Sequence, residues 1–446
     1  MIAPRFGPRR ARRPGAFRAA TLVALCLLCG LAACAPVDRI FKQDESATSA
    51  TPVATQRPRA TPVVAVPGPP APTPLAPLVT LVPERTIAFV SDRDGQIDLY
   101  LLDIVTRQVW RLTDDAAIES FPTWSPDGTT LAYVVEDERT IRNLWLLDLR
   151  IGIHQQLTRE EPPFDVRRPA WLDGGRVLIY DTGKPFDRRP ELRAITTDGQ
   201  QLSPLLPASG SVILDWDTDG ETVICAVVTN LGQPRLVVAD AVPGAQLRPE
   251  ADAPIGFDVR LAPGGRHATF SAPPLSEDQI TYLLDLATGA TYPVNDRVQR
   301  PGGPIEPVRG RRYEHDFAWL PDSRGLVFVH GTGGVTDGQG KLKLGNLPPP
   351  ITDGYVGLWL TERAEPVGDR KRRQITTGTA DAAPRPSSDG RWIAFLADTQ
   401  QPNAAESNIW VVAVDAADGH APEQRNLTPE TRNNWAPAWM PLPLPR

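Results

Sequence analysis

Cysteine is scarce where a folded body would use it. Of four cysteines in 446 residues, Cys26, Cys29 and Cys34 fall at the N-terminal end and only Cys225 lies beyond them. An internal disulfide framework is therefore excluded, and a Cys/His zinc site has no ligand set. Histidine is equally sparse. His154, His267, His315, His330 and His420 show no paired spacing and no His-Glu-x-x-His, and the chain has neither a Gly-x-Ser-x-Gly elbow nor an α/β segment to house a nucleophile triad. Basic charge is deficient too. The first 33 residues carry six arginines and no acid, which leaves 41 basic against 53 acidic residues, a net charge of -12, in the rest. Such a surface repels phosphate backbones, so nucleic acid is not an expected partner.

Long apolar runs are also missing. Leu22 to Leu31 is too short to cross a membrane, which takes about 20 residues, and it reads as a signal h-region behind an arginine-rich n-region. It ends in Leu31-Ala32-Ala33-Cys34, which resembles a bacterial lipobox. The resemblance implies a signal peptide over 1–33, cleavage before Cys34 and lipid attachment to its sulfur, with an ordinary secretory signal as the other reading. Ala35 to Pro83 contains eleven prolines among Thr, Ala and Val. It cannot bury enough surface to fold, so 34–84 is expected to be a stiff tether reaching on the order of 150 Å at about 3.1 Å per residue.

What is abundant is repetition. Glu119 to Thr158 reads as four short strands, with a turn at Ser125-Pro126-Asp127-Gly128 after the first. Aligned on Trp124, the pattern recurs at Trp171, Trp216, Leu261, Trp319, Pro386 and Trp439, at spacings of 47, 45, 45, 58, 67 and 53. Anchors are followed by turn chemistry such as Leu320-Pro321-Asp322-Ser323 and Ser387-Ser388-Asp389-Gly390. There proline presets φ, Asp bonds the backbone ahead and Gly takes positive φ. One four-stranded meander cannot bury both of its faces, so it must stack on its neighbours. The expected fold is all-β: a propeller over 85–446 of seven four-stranded blades, with six or eight as alternatives. Thr86 to Ser91, Ile97 to Asp103 and Val109 to Thr113 supply three strands of a blade without its first, and Asn433 to Trp439 supplies a first strand without the rest. The two termini should share one blade.

Trp124 to Gly128 with Ala132-Tyr133, Ile393-Ala394-Phe395, Leu144-Trp145, Leu358-Trp359, Ile409-Trp410 and the closures Leu112-Thr113, Leu157-Thr158, Ile375-Thr376 and Leu427-Thr428 together resemble the TolB-type propeller repeat. The resemblance covers Arg85 to the C-terminus, and the repeats at Trp216 and Leu261 match it least. It implies the fold. The activity of peptidases that share such propellers is not implied, because their catalytic domain has no counterpart here; TolB itself joins an α/β domain to six blades, where this chain has a tether and seven.

Asp215, Asp217, Asp219 and Gly220 imitate a calcium loop, but Ala226 stands where a bidentate Glu is needed, so the stretch reads as a hairpin turn. Asp92, Asp94, Gly95 and Asp98 read the same way, and no metal or cofactor is called for. The residues four and five before the anchors, Glu119, Ser120, Arg167, Glu314, His315, Asp381, Asn434 and Trp435, should begin the innermost strands at the channel mouth. They are the candidate binding set. Connections between the second and third strands and between blades are long, as at Asp181 to Glu191, Asp296 to Tyr313 and Gly331 to Gly354, and crowd one face. The expected function is a non-catalytic, monomeric binding platform, exported and lipid-anchored at the periplasmic or outer side of a bacterial membrane, which recognises a protein or envelope polymer. The alternatives are a glycosidase-like hydrolase using mouth carboxylates and a small-ligand or metal sensor.

Overall fold

The computed structural model describes residues 81–442 except 162–164, 184–190, 204–211, 229–233, 243–244, 246–247, 252–257, 273–279, 295–296, 300–304, 308–313, 331–334, 337–341, 344–356, 362–371, 379–380, 399–406, 416–421 and 430–432. Cys34, the leader and nearly all of the tether lie outside the described residues. So do most residues of the long connections.

Among the described residues, seven four-stranded antiparallel sheets form the ring, and two further two-stranded sheets are inserted, one between blades 4 and 5 and one between the second and third strands of blade 5. Blade 1 shows how the sequence makes the unit. Its strands are Ile118–Trp124, Thr130–Glu136, Arg142–Asp148 and Ile153–Gln156. In the first turn, the Ser125 N–H donates to the Thr130 carbonyl at 2.8 Å and the Ser125 hydroxyl to Asp127 Oδ1 at 2.6 Å, while Asp127 Oδ1 accepts the Thr129 N–H at 3.0 Å. Gly128 sits at φ +70°, and a Cβ there would come within 2.8 Å of the Met440 side chain. Turn chemistry and blade packing thus demand the same residue.

The Leu-Thr closure has a physical role as well. Thr113, Thr158, Thr376 and Thr428 each accept, through Oγ1, the N–H of a third-strand residue: Leu99, Leu144, Leu358 and Ile409 respectively, at 2.8–2.9 Å. One hydroxyl fixes where the blade ends.

Blades bury one another's faces. Ala132, Val134, Leu144, Leu146 and Leu157 of blade 1 pack with Val166, Trp171, Leu178, Tyr180 and Ile195 of blade 2, each large side chain contributing about 1.5–3 kcal/mol of burial. The anchor tryptophans add a directional stitch. The indole N–H groups of Trp124, Trp171, Trp319 and Trp439 donate to the carbonyls of Ala438, Thr123, Arg260 and Arg385, at 3.0, 3.2, 3.1 and 2.7 Å. In each case the acceptor immediately precedes the anchor of the preceding blade. Trp216 breaks the pattern: its indole nitrogen is buried with no hydrogen-bond partner among the described residues, and its ring lies under the Arg168 guanidinium at 5.2 Å. Where Leu261 replaces tryptophan, Asp217 Oδ2 accepts the Leu261 N–H at 2.8 Å instead. Trp171→Phe is therefore expected to cost about 1–2 kcal/mol by stranding the Thr123 carbonyl, and Trp216→Phe less. Urea midpoints of the two variants check this.

The last blade joins both ends of the described chain, in the strand order Val109–Arg111, Asp98–Asp103, Thr86–Ser91, Asn434–Trp439. Ile87 pairs with Trp439, Ala88 with Ala438, Val90 with Trp435 and Ser91 with Asn434.

Candidate functional site

The innermost strands are not regular. Pairing with the second strand slips between Ser120 and Thr123, Arg167 and Ala170, Ile213 and Asp215, His315 and Ala318, and Ala382 and Arg385. Phe121, Arg168, Asp258, Asp316, Ala383 and Ala436, each three residues before an anchor, have φ between 42° and 65°. A bulge bends the strand and re-aims side chains, and here it draws charged groups from neighbouring blades together at the axis.

Arg168 and Arg260 are linked there with Asp181, Asp215 and Asp258 in one chain of ion pairs. Arg168 Nη1 lies 2.7 Å from Asp215 Oδ1, and Arg168 Nε lies 3.4 Å from Asp181 Oδ1. Arg260 Nη2 lies 2.7 Å from Asp258 Oδ1, and Arg260 Nη1 lies 3.7 Å from Asp215 Oδ2. Asp215 also accepts the N–H groups of Trp216 at 2.9 Å and Val259 at 3.1 Å. Asp316 Oδ2 accepts the Ala383 N–H at 3.1 Å, tying blade 5 to blade 6. The arginine of blade 6, Arg385, donates Nη1 to the Pro384 carbonyl at 2.9 Å.

Electrostatics sorts these groups. Burial pushes Asp215 up, but Arg260, Arg168 and the donated hydrogen bonds more than offset it and hold the carboxyl below its ordinary value. For Asp181 burial outweighs Arg168 and Arg167, and for Asp217 it outweighs Arg260 and the Leu261 N–H, so both are raised. Burial tends to lower Arg260, yet Asp258, Asp215, Asp217 and Asp316 leave it raised. Arg385 goes the other way: burial and the charge of Arg260 outweigh Asp316, Asp217 and Asp258, and its value falls. Among the described residues, no three His, Cys, Asp or Glu side chains are placed to share a metal ion.

The sequence-derived set lies elsewhere. Glu119, Ser120, Asp381, Asn434 and Trp435 are buried, with 1, 4, 3, 0 and 1% exposure. Asn434 Oδ1 accepts Ser91 Oγ at 2.8 Å and Arg93 Nη2 at 3.0 Å, and its own carbonyl accepts Ser407 Oγ at 2.8 Å. Asp381 Oδ2 accepts the closing hydroxyl of Thr376. These residues bind blade to blade. Glu119 stands out because neither of its carboxylate oxygens has a hydrogen-bond partner among the described residues. Burial, with Asp115 and Asp98 adding repulsion, pushes its carboxyl up to about 8. Arg167 is half-buried and its Nε has no partner among the described residues. The side chains of Glu314 and His315 lie outside the described residues; the backbone of Glu314–Trp319 is the inner strand of blade 5. Asp215 and Asp217, read from sequence as parts of a turn, belong to the strand Val212–Thr218. Only Asp219 caps the turn, accepting the N–H groups of Glu221 and Thr222 at 3.1 and 2.8 Å.

Two surfaces flank the axis. On the tight-turn side, a groove of about 330 Å³ between blades 1 and 2 is lined by residues including Asp127, Asp148, Arg150, Ile151 and Ile153. On the other side emerge the second-to-third-strand and blade-to-blade connections, and from these come both inserted two-stranded sheets. One pairs Arg297–Gln299 with Ile305–Pro307 and the other Val335–Thr336 with Leu342–Lys343.

Geometry of this kind defines the chain as a seven-bladed β-propeller. No family model matches the chain, and neither does any curated protein sequence. Solved structures do. An oligogalacturonate lyase from Vibrio parahaemolyticus superposes with a TM-score of 0.50 at 13% identity, over 75% of this chain and 87% of that one. The periplasmic gluconolactonase of Pseudomonas aeruginosa gives 0.48 at 15%, over 80% and 99%, and TolB from Acinetobacter baumannii gives 0.45 at 13%, over 80% and 67%. At such identities the likeness establishes the fold alone.

Proposed function

We propose that the chain is a non-catalytic binding platform of the cell envelope, tethered to a membrane through lipid on Cys34, which captures a protein or envelope polymer on the face that carries the long connections. The observation that carries this reading is the origin of the two inserted sheets: both, Arg297–Pro307 and Val335–Lys343, interrupt connections that leave the same end of the ring. Insertions on a rigid scaffold are where recognition concentrates. The burial of Glu119 and Asp381 between blades supports the reading over a glycosidase, whose carboxylates must touch substrate.

The test is loop replacement. Variants with 296–313 or 332–356 exchanged for short Gly/Ser linkers should melt cooperatively yet lose crosslinked partners in native envelopes, whereas a variant altered at Ile151 and Ile153 on the opposite face should retain them. Capture that survives both replacements contradicts the platform reading.

A further inference from the structure

We infer that the tight-turn face of the ring lies against a phospholipid surface, so that the face carrying the long connections points away from the membrane. The inference rests on the anchored reading above for its membrane. The choice of face rests on the topology of the closing blade and on the side chains of the turns.

Topology fixes where the tether meets the ring. In blade 1 the first and second strands are joined by the turn after Trp124, which the Ser125 N–H closes on the Thr130 carbonyl. The closing blade has the same turn without a link. Its first strand, Asn434–Trp439, and its second, Thr86–Ser91, come from opposite ends of the described chain. In place of the Ser125 bond, the Met440 N–H donates to the Thr86 carbonyl at 3.0 Å. The segment before Thr86 is held at that same point, because the Thr86 hydroxyl and the Arg85 N–H both donate to the Val82 carbonyl, at 2.8 and 3.1 Å. The proline-rich stretch that leads back to Cys34 therefore joins the ring on its tight-turn face.

The same face carries the apolar surface. Among the described residues, the exposed large hydrophobics are Val105, Ile151, Ile153 and Val242, at 54–62%. All four stand just beyond third strands, namely Asp98–Asp103, Arg142–Asp148 and Pro234–Asp240. Strand direction alternates in a meander, so third-to-fourth connections share a face with first-to-second ones. Ile151 and Ile153 also line the groove between blades 1 and 2, together with Leu146 and Trp171. The turns arrange the charge as well. Arg150, Arg176, Arg266 and Arg391 have side chains 61–78% exposed, whereas their partners Asp148, Asp173, Asp285 and Asp389 are at 12–42%. The carboxylates stay close to the backbone and the guanidiniums project. Aliphatic tips among outward guanidiniums fit a phospholipid surface, where phosphate oxygens border hydrocarbon. Asp127, Asp198, Glu221 and Asp322 are exposed on this face too, so it carries both signs and suits zwitterionic lipid better than strongly anionic lipid. Four aliphatic tips are few for capture from solution. A tether raises their local concentration, and they then need only decide which face lies down.

The experiment couples the chain without its leader, through the Cys34 thiol, to a maleimide phospholipid in phosphatidylcholine vesicles. Cys225 is buried and is spared. Anchoring then does not depend on modification in the cell, so a failure here is distinct from a failure of the lipidated reading. A phospholipid with a photoreactive acyl chain marks what touches the bilayer, and mass spectrometry maps the crosslinks. They should concentrate at Val105, Ile151, Ile153 and Val242 and be sparse at Glu138, Arg139 and Thr140, which are exposed on the opposite face of blade 1. Val105→Ser, Ile151→Ser, Ile153→Ser and Val242→Ser together should leave the melting temperature unchanged, because the side chains are exposed, and lower crosslinking about tenfold. Exchange of 296–313 for a linker should leave the pattern as it is. Crosslinks that gather on the long connections, spread evenly over both faces, survive the four substitutions, or arise only when anionic phosphatidylglycerol is added would overturn the proposal.

Discussion

A chain truncated before Asn433 is expected to lose its cooperative melting transition. The six residues Asn434–Trp439 are the inner strand of the blade that closes the ring, and they pair along Thr86–Ser91 at the other end of the fold. Trp435 is 1% exposed and Trp439 9%, and loss of a buried aromatic costs about 3–5 kcal/mol each. Two stitches go with the strand, one from Trp124 to the Ala438 carbonyl and one from Trp439 to the Arg385 carbonyl. So does the Asn434 junction with Ser91 and Ser407. The combined loss reaches the whole stability of a typical domain, about 5–15 kcal/mol. Calorimetry should show a broad transition or none, and a single transition at the parental temperature would mean that the ring closes without this strand.

Glu119→Gln is expected to stabilise the protein in alkaline solution and to leave it almost unchanged in acid. The Glu119 carboxyl is buried between blade 1 and the closing blade, near Asp98 and Asp115, and its folded-state value of about 8 lies above its ordinary 4.5. Between those two values the native state keeps a proton that the unfolded chain has released. Stability therefore falls as pH rises through this window, by about 1.4 kcal/mol per pH unit and on the order of 5 kcal/mol in full. Glutamine stays neutral throughout, so the difference between variant and parent isolates this group from every other titration. Urea midpoints at pH 5 and pH 9 should show a gap that opens by several kcal/mol on the alkaline side. A gap that does not change with pH would mean that Glu119 is ionised or solvated in the native state.

The fold was legible because its punctuation is local. Ser125-Pro126-Asp127-Gly128 and Ser387-Ser388-Asp389-Gly390 can make little but tight turns, and the unpaired strands at the two ends complement each other. Even the repeat that matches least, at Leu261, falls at the right spacing; its inner strand is only Arg260–Leu261 and its tryptophan stitch is replaced by the Asp217 carboxylate. Two connections between third and fourth strands, from Thr361 to Arg372 and from Ala413 to Gln424, are longer than the tight turns expected there.

The axial cluster was hidden because it is made by irregular backbone. Counting four and five residues back from each anchor reaches the start of the inner strand but carries no sign of the bulge that lies between that point and the anchor. Glu119, Asp381 and Asn434 do stand at or beside the starts of the inner strands, with their side chains buried, and the count passes over Arg168, Asp258 and Asp316, the residues at positive φ. A left-handed Phe, Arg or Ala has no sequence signature, since these residues seldom adopt that conformation. Arg385 was masked by its own repeat, in which Pro386 takes the place of the tryptophan.

Hydrogen exchange at the closing blade tests the account most directly, because a ring locked by both termini leaves no independent way for either edge to open. The amides of Ile87–Val90 and Trp435–Trp439 that take part in the ladder should exchange together, at the slow rate set by global unfolding. If the Trp435–Trp439 amides exchange orders of magnitude faster than those of Leu131–Val134 in blade 1, the ring is open at that blade and the closed platform is contradicted.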